Sequence, residues 1–306
     1  MQNILTLDIE GWYQSSLDIL GPEHADVLRP VLPGERVVTN THRLLRILAE
    51  QGVHATCFIL GTVAETYPDL VREIYAAGHE IATHGYGHEL VYRQSPAEFK
   101  ADVQRAIQLT QSPTSNLQPP TSNIQYPISI RGYRAPYFSI TRESEWALEV
   151  LAELGMEYDS SIFPIRRRLY GFPGWEGFPH TVRTAAGSLR ELPISTVSLL
   201  GQNFPVGGGG YFRLLPYPVI REAIRAINRQ GQPAVFYLHP YELDAEELRH
   251  PLPSESWKIR FVRLSQGLGR GRVEAKLRRL LADFEWGSVR GWMAGEGWSG
   301  GEEMRE

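Results

Sequence analysis

Short apolar or β-branched runs alternate with longer amphipathic stretches along most of this chain. Seven runs read as strands, over residues 3–8, 54–60, 79–83, 129–133, 156–160, 189–194 and 234–238. Helices with recognisable start and stop signals lie between many of them. Residues 40–51 carry Leu44, Leu45, Ile47 and Leu48 and stop at Gly52, and a second helix runs from Pro68 to Gly78. A third opens at Ser95-Pro96, a cap followed by proline at the first helical position. Trp146, Val150, Leu151 and Leu154 line a fourth, and residues 219–230 form a fifth. Repeated strand–helix units predict an α/β fold, a parallel sheet with helices outside it. Seven strands within residues 3–238 fit a closed, irregular barrel better than an open sheet.

The pattern predicts one catalytic barrel over residues 1–245. Residues 110–126, proline- and serine-rich with an internal echo (TSNLQ, TSNIQ), read as a flexible insertion. A helical extension packed on the barrel is expected over 246–285, and a glycine-rich, charged, flexible tail over 286–306.

Composition narrows the classes. The 306 residues are 42% hydrophobic and 22% charged, enough for a full core. A net charge of -4 without a long basic run argues against nucleic acid. A single cysteine, Cys57, rules out a disulfide framework. No apolar stretch is long enough to span a membrane, and the N-terminus lacks signal-peptide character, so a soluble, cytoplasmic protein is expected. Oligomeric state is not legible.

Barrel enzymes place their chemistry where strands end, and polar residues gather there. Asp8 and Glu10 close the first strand two residues apart, so their carboxylates share a face. His84 and His88 follow the third strand, four apart. With the acidic pair nearby, a metal site outweighs the alternative of two solvated loop histidines. Histidine and carboxylate together suit zinc or another first-row ion. Arg134, in the RAPY segment after the fourth strand, can pair with a carboxylate and depress its pKa. Pro136 stiffens the turn that would aim the Tyr137 backbone N–H at an oxyanion. His239 ends the seventh strand, and Asp159, ending the fifth, is the natural candidate to orient it. Trp12, Tyr13, Tyr86, Phe138 and Tyr211 are candidate stacking surfaces for a ligand at the rim, ordinary packing being equally expected. The run Gly207–Gly210 lacks a P-loop lysine and reads as a loop with unusual backbone angles or close approach to substrate.

In this order the segments resemble the polysaccharide deacetylases, the NodB-homology group or carbohydrate esterase family 4. The matching positions are Asp8-Ile9-Glu10, His84 and His88, Arg134 to Tyr137, Asp159, and His239. GGGGYFRLLPY, residues 207–217, resembles the subgroup found beside exopolysaccharide and exosortase loci. The resemblance implies a distorted (β/α)7-type barrel and a divalent metal, zinc first, with cobalt or nickel as alternatives. It implies Asp8 as general base, Glu10, His84 and His88 as metal ligands, and Arg134 tuning Asp8. Tyr137 would serve the oxyanion, and His239 would be the general acid, supported by Asp159. The implied activity is removal of N-acetyl groups from amino sugars of a polysaccharide or its lipid-linked precursor. An allantoinase-like amidase on small amides and a non-catalytic carbohydrate-binding homologue are the alternatives. The chain departs from the family in having Asp-x-Glu where many members have adjacent aspartates, which leaves open whether Glu10 ligates directly or through water. It also has serines after Asp159 and Pro240-Tyr241 after His239.

Overall fold

The structure is a computed structural model that describes residues 1–20, 35–111, 128–249 and 255–295. The chain runs through β1 (Gln2–Ile9), α1 (Trp12–Leu20), α2 (Glu35–Glu50), β2 (Thr56–Ile59), α3 (Gly61–Thr66), α4 (Pro68–Ala76) and β3 (Glu80–Thr83). It continues with α5 (Pro96–Gln111), β4 (Gly132–Tyr133), α6 (Ala147–Glu153), β5 (Tyr158–Asp159), β6 (His180–Thr184) and β7 (Gly187–Glu191). A hairpin follows, β8 (Thr196–Leu199) and β9 (Gln202–Pro205), then α7 (Gly209–Leu214), α8 (Tyr217–Asn228) and β10 (Val235–Leu238). The last elements are α9 (Trp257–Gly267), α10 (Val273–Asp283), β11 (Glu285–Gly287) and α11 (Val289–Gly295).

All seven expected strands are present in one parallel sheet ordered β10-β1-β2-β3-β4-β5-β7, with β6 added antiparallel at the β7 edge. Strands buried on both faces read as continuous apolar runs, and β1 shows why. Leu5, Leu7 and Ile9 face outward into the layer shared with α2, α4, α8 and α10. Ile4 faces inward with Phe58, Tyr158, Val235 and Tyr237. Thr6 and Asp8 have the same parity as Ile4 and so point toward the interior.

Between β7 and β10 the wall is irregular. The Ile194 N–H donates to the Ile162 carbonyl at 3.0 Å, and the Ser195 N–H to that of Val235 at 3.2 Å. The Val235 N–H donates to Ser195 Oγ at 2.8 Å, and that of Tyr237 to the Gly207 carbonyl at 2.7 Å. The glycine run serves this seam. A Cβ on Gly208 (φ 126°) would stand 1.9 Å from the Tyr237 carbonyl oxygen. The unusual backbone angles are present, with φ 126° at Gly208 and 54° at Gly209; Gly208 packs on the β10 backbone, Gly210 lines the cleft described below, and the run opens α7.

The tail expectation needs correcting for residues 286–295. β11 pairs in parallel with the start of β1, and Val289, Trp292 and Met293 of α11 enter the interior cluster. These residues plug the end where the strands begin. Thr110 and Gln111 close α5, and the rest of the expected insertion lies outside the described residues, as do 296–306. No helix among the described residues is long and apolar enough to cross a membrane.

Candidate active site

The opposite end of the barrel collects the expected polar residues around a cleft of about 270 Å³. Asp8, Glu10, His84, His88, Tyr137, Phe138, Tyr211 and His239 all line it. Behind them Arg134, fully buried, is held from several sides. Its Nη1 donates to Asp8 Oδ1 at 2.6 Å and to Thr6 Oγ1 at 2.8 Å. Its Nε and Nη2 donate to the carbonyl and Oγ of Ser160 at 3.0 and 2.8 Å. The guanidinium also lies 4.2 Å from the centre of the Phe58 ring. A planar donor fixed this way sets the Asp8 carboxylate without further adjustment.

Glu10 sits just past β1, where its N–H turns back to the Asp8 carbonyl at 3.0 Å. Its Oε2 lies 2.7 Å from His88 Nε2 and 3.8 Å from His84 Nε2, and its Oε1 lies 3.5 Å from His239 Nε2. Burial resists ionisation of this carboxyl, but His88, then His239 and His84, outweigh it and hold its pKa below the ordinary value. Burial pushes the His84 imidazole down to about 3, so this ring is neutral. His84 Nδ1 is 2.8 Å from the Arg134 carbonyl. A carbonyl only accepts, so Nδ1 carries the proton and the Nε2 lone pair faces the Glu10 carboxylate. Two acceptors opposed across 3.8 Å inside a protein are unfavourable unless a cation lies between them. One ligand atom from each of Glu10, His84 and His88 falls within 4.8 Å of the others. The donor set therefore fits a divalent metal ion.

His239 Nε2 stands 3.7 Å from Asp8 Oδ2. On its other side Nδ1 is 3.8 Å from Glu242 Oε2, an ion-pair separation rather than a hydrogen bond. Burial disfavours the charged ring, yet Glu242, then Glu10 and Asp8, outweigh it and raise its pKa above the ordinary value. Tyr241 stacks on the imidazole at 4.7 Å and 17°. Glu242 is itself 3.4 Å from Arg213 Nε of α7.

Asp159 does not orient His239. It accepts from the Ser161 N–H at 3.0 Å and from Ser161 Oγ at 2.5 Å, and it neighbours Glu191 across the β5–β7 pairing. Burial and the charge of Asp159 raise Glu191 well above the usual carboxylate range, so this interior pair holds a proton. Ser161 Oγ in turn accepts the Ala135 N–H at 2.8 Å, which ties Asp159 to the Arg134–Tyr137 turn. In that turn Tyr137 and Phe138 adopt consecutive positive φ values of 54° and 51°. Each such residue costs on the order of 1–3 kcal/mol and persists only where its surroundings over-determine it.

Three expected sugar platforms are elsewhere. Trp12 is buried against Leu20, Tyr241, Leu248, Ile259 and Val262 because α1 packs on α9. The Tyr86 hydroxyl donates to Glu65 at 2.8 Å while Arg105 covers its ring at 3.5 Å, away from the cleft. Tyr13 does not line the cleft either. Tyr170 and Glu242 do line it and were not anticipated. Tyr170 and Tyr211 are joined hydroxyl to hydroxyl at 3.0 Å.

The polysaccharide deacetylase family profile matches residues 32–158. Residues 32–158 thus form a polysaccharide deacetylase domain. A second profile, a domain of unknown function (DUF3473), matches residues 160–294. The chain is 32% identical to a chitooligosaccharide deacetylase of a Bradyrhizobium species over 168 residues, 55% of this chain and 66% of the relative. It is 27% identical to a peptidoglycan deacetylase of Helicobacter pylori over 154 residues, 50% of this chain and 46% of the relative. It thus spans less than two thirds of each of these deacetylases. Its fold is similar to that of a crystal structure assigned to the polysaccharide deacetylases from Mycobacterium smegmatis, with TM-score 0.58 and 20% identity, covering 100% of this chain and 96% of that one. It is also similar to that of Puue allantoinase, with TM-score 0.55 and 15% identity, covering 95% and 89%. Likeness at these identities concerns the fold and leaves the chemistry to the site.

Proposed function

We propose that this protein is a divalent-metal-dependent hydrolase that removes N-acetyl groups from amino-sugar residues of a polysaccharide or its lipid-linked precursor. The observation that carries the reading is the Glu10 carboxylate facing the His84 Nε2 lone pair and His88 Nε2, with Asp8–Arg134 and His239 alongside. The deacetylase relatives give the substrate class, and the aromatic lining of Tyr137, Phe138, Tyr170 and Tyr211 suits the faces of a sugar ring.

A cation held by Glu10, His84 and His88, zinc first and cobalt or nickel as alternatives, supplies Lewis acidity for polarising the amide carbonyl and acidifying water. Asp8, its orientation set by Arg134, takes the proton of the water that attacks the acetyl carbon. The Tyr137 backbone N–H, in its strained turn, donates to the developing oxyanion. His239 enters protonated and gives that proton to the departing sugar amine, with Glu242 favouring the charged ring beforehand. Acetate and the free amine are the products. Arg134 and Asp159 position groups and do not touch the substrate.

The intact Glu10–His84–His88 group favours this reading over a metal-independent, allantoinase-like amidase or a non-catalytic glycan binder. The test is acetate release from a panel of N-acetylated oligosaccharides in the presence of zinc, cobalt or chelator. Acetate release that chelator abolishes is expected. Metal-loaded protein that releases no acetate from any of them would move the activity to another amide.

A further inference from the structure

α9 buries one face and leaves the opposite face bare. Ile259 and Val262 pack into the cluster with Trp12 and Leu20 of α1. Trp257, Phe261, Leu264 and Leu268 are 83%, 69%, 55% and 63% exposed. Spaced by four, three and four residues, they fall within an arc of about 60° at helical periodicity. No described residue covers them. Large apolar side chains scattered singly need no explanation, but four in register, including a tryptophan and a phenylalanine, do.

The charges on α9 itself have one sign. α9 contains Lys258, Arg260 and Arg263 and no acidic residue. Arg263 is committed to the neighbouring Glu255. Lys258 and Arg260 fall on either side of the apolar arc. Arg260 is exposed and makes no ion pair among the described residues, and Lys258 Nζ reaches only the Leu20 carbonyl, at 2.5 Å. The opposite, inward face of α9 reaches the cleft. Gln266, in the last turn of α9, lines the cleft with Leu214, itself 57% exposed, and Arg213 beside Leu214 donates to Gln266 Oε1 at 3.0 Å.

We propose that α9 is an interfacial helix that lies on an anionic lipid bilayer. A helix of this kind buries an apolar stripe ending in aromatic residues among the headgroups while flanking cations meet lipid phosphates. A symmetric dimer through the same strip would instead set Lys258 and Arg260 against a second copy of α9, which has no acidic residue to meet them. The membrane contact stands independently of the hydrolase reading.

The test is co-sedimentation of the full chain with vesicles of phosphatidylglycerol and phosphatidylcholine in equal parts, beside vesicles of phosphatidylcholine alone. Binding to the mixed vesicles is expected, weakened by salt and by Arg260→Glu. The double substitution Trp257→Ser, Phe261→Ser is expected to reduce it at least about tenfold. Both variants change exposed side chains and should melt as the wild type does. No binding to mixed vesicles, or equal binding by the double variant, would overturn the proposal. So would a solution dimer that the double variant dissociates while neither protein binds vesicles. Binding is read without turnover, so an inactive preparation that still co-sediments counts against the hydrolase reading alone.

Discussion

Two buried glutamates mark the two ends of the barrel, and their surroundings are opposite. Glu80, where β3 begins, is supplied with donors. Thr56 Oγ1 donates to its Oε2 at 2.6 Å, the Tyr158 hydroxyl to its Oε1 at 2.9 Å and the Arg290 N–H to its Oε2 at 2.9 Å. Glu10, at the exit of β1, meets imidazole nitrogens, one of which presents a lone pair. The first carboxylate closes a structural knot that fastens α11 across the barrel floor. The second faces the His84 lone pair across 3.8 Å, an opposition that a bound cation would relieve. Satisfied burial stabilises a fold, whereas incompletely satisfied burial marks a place kept for a ligand.

The largest expected effect lies beside Glu10. Asp8→Asn keeps the hydrogen bond from Arg134 but removes the base, so kcat should fall by about three orders of magnitude with metal content unchanged. Steady-state kinetics with metal analysis checks this, and a loss within about tenfold would dismiss Asp8 as the base.

Exchanging the two glutamates for alanine tests the contrast itself. Glu80→Ala strands the Thr56 and Tyr158 hydroxyls and should lower unfolding free energy by about 3 kcal/mol while zinc affinity holds. Glu10→Ala should do the reverse, weakening zinc at least about a hundredfold while the metal-free protein stays within about 1 kcal/mol of wild type. Denaturant titration in chelator and zinc titration read the two halves. Similar behaviour of the two variants would erase the distinction.

A smaller effect is expected from Glu242→Gln. Glu242 raises the His239 pKa, so its loss lowers that pKa and the protonated acid disappears at lower pH. The alkaline limb of the kcat profile should move down, and kcat at its optimum should fall by about tenfold. An unmoved limb would separate Glu242 from the acid.

Glu242 also shows where sequence reading stops. Asp8 and Glu10 were legible because side chains two apart on a strand share a face, and His84, His88 and His239 because each follows a clear apolar run. Glu242 belongs to a short turn, Pro240–Leu243, whose curl folds it back under His239, and no periodicity announces such a turn. Asp159 misled for a related reason. Its strand is two residues long, and it turns into the wall beside Glu191 rather than across the cleft. Trp12 lies close in sequence to Glu10, but its burial depends on α9, more than two hundred residues later. Strands such as β1, β2 and β10 could be read because burial on both faces makes them largely apolar. β11 is three residues long, with Gly287 at its end, and only its pairing with β1 makes it a strand.

A comparably small effect belongs to the barrel floor, next to Glu80. The His79 Nδ1 accepts the Ala55 N–H at 3.1 Å, so protonating it would set a donor against a donor. Burial, and then the neighbouring His54, lower its pKa to about 4. The unfolded chain binds this proton near the ordinary value of 6.5, whereas the folded protein resists until about 4. Stability is therefore full above about pH 6.5, falls as pH drops toward 4, and changes no further below that. Because the ring is not wholly sealed from water, the loss across this window should be about 2 kcal/mol rather than the full value of the shift. The difference between wild type and His79→Gln isolates it from other titrating groups. Glutamine does not titrate, so the wild type should lose stability relative to the variant as pH falls from 7 to 4.5. A constant difference would mean that His79 folds with its proton on, and that the floor of the barrel is less tightly satisfied than its hydrogen bonds indicate.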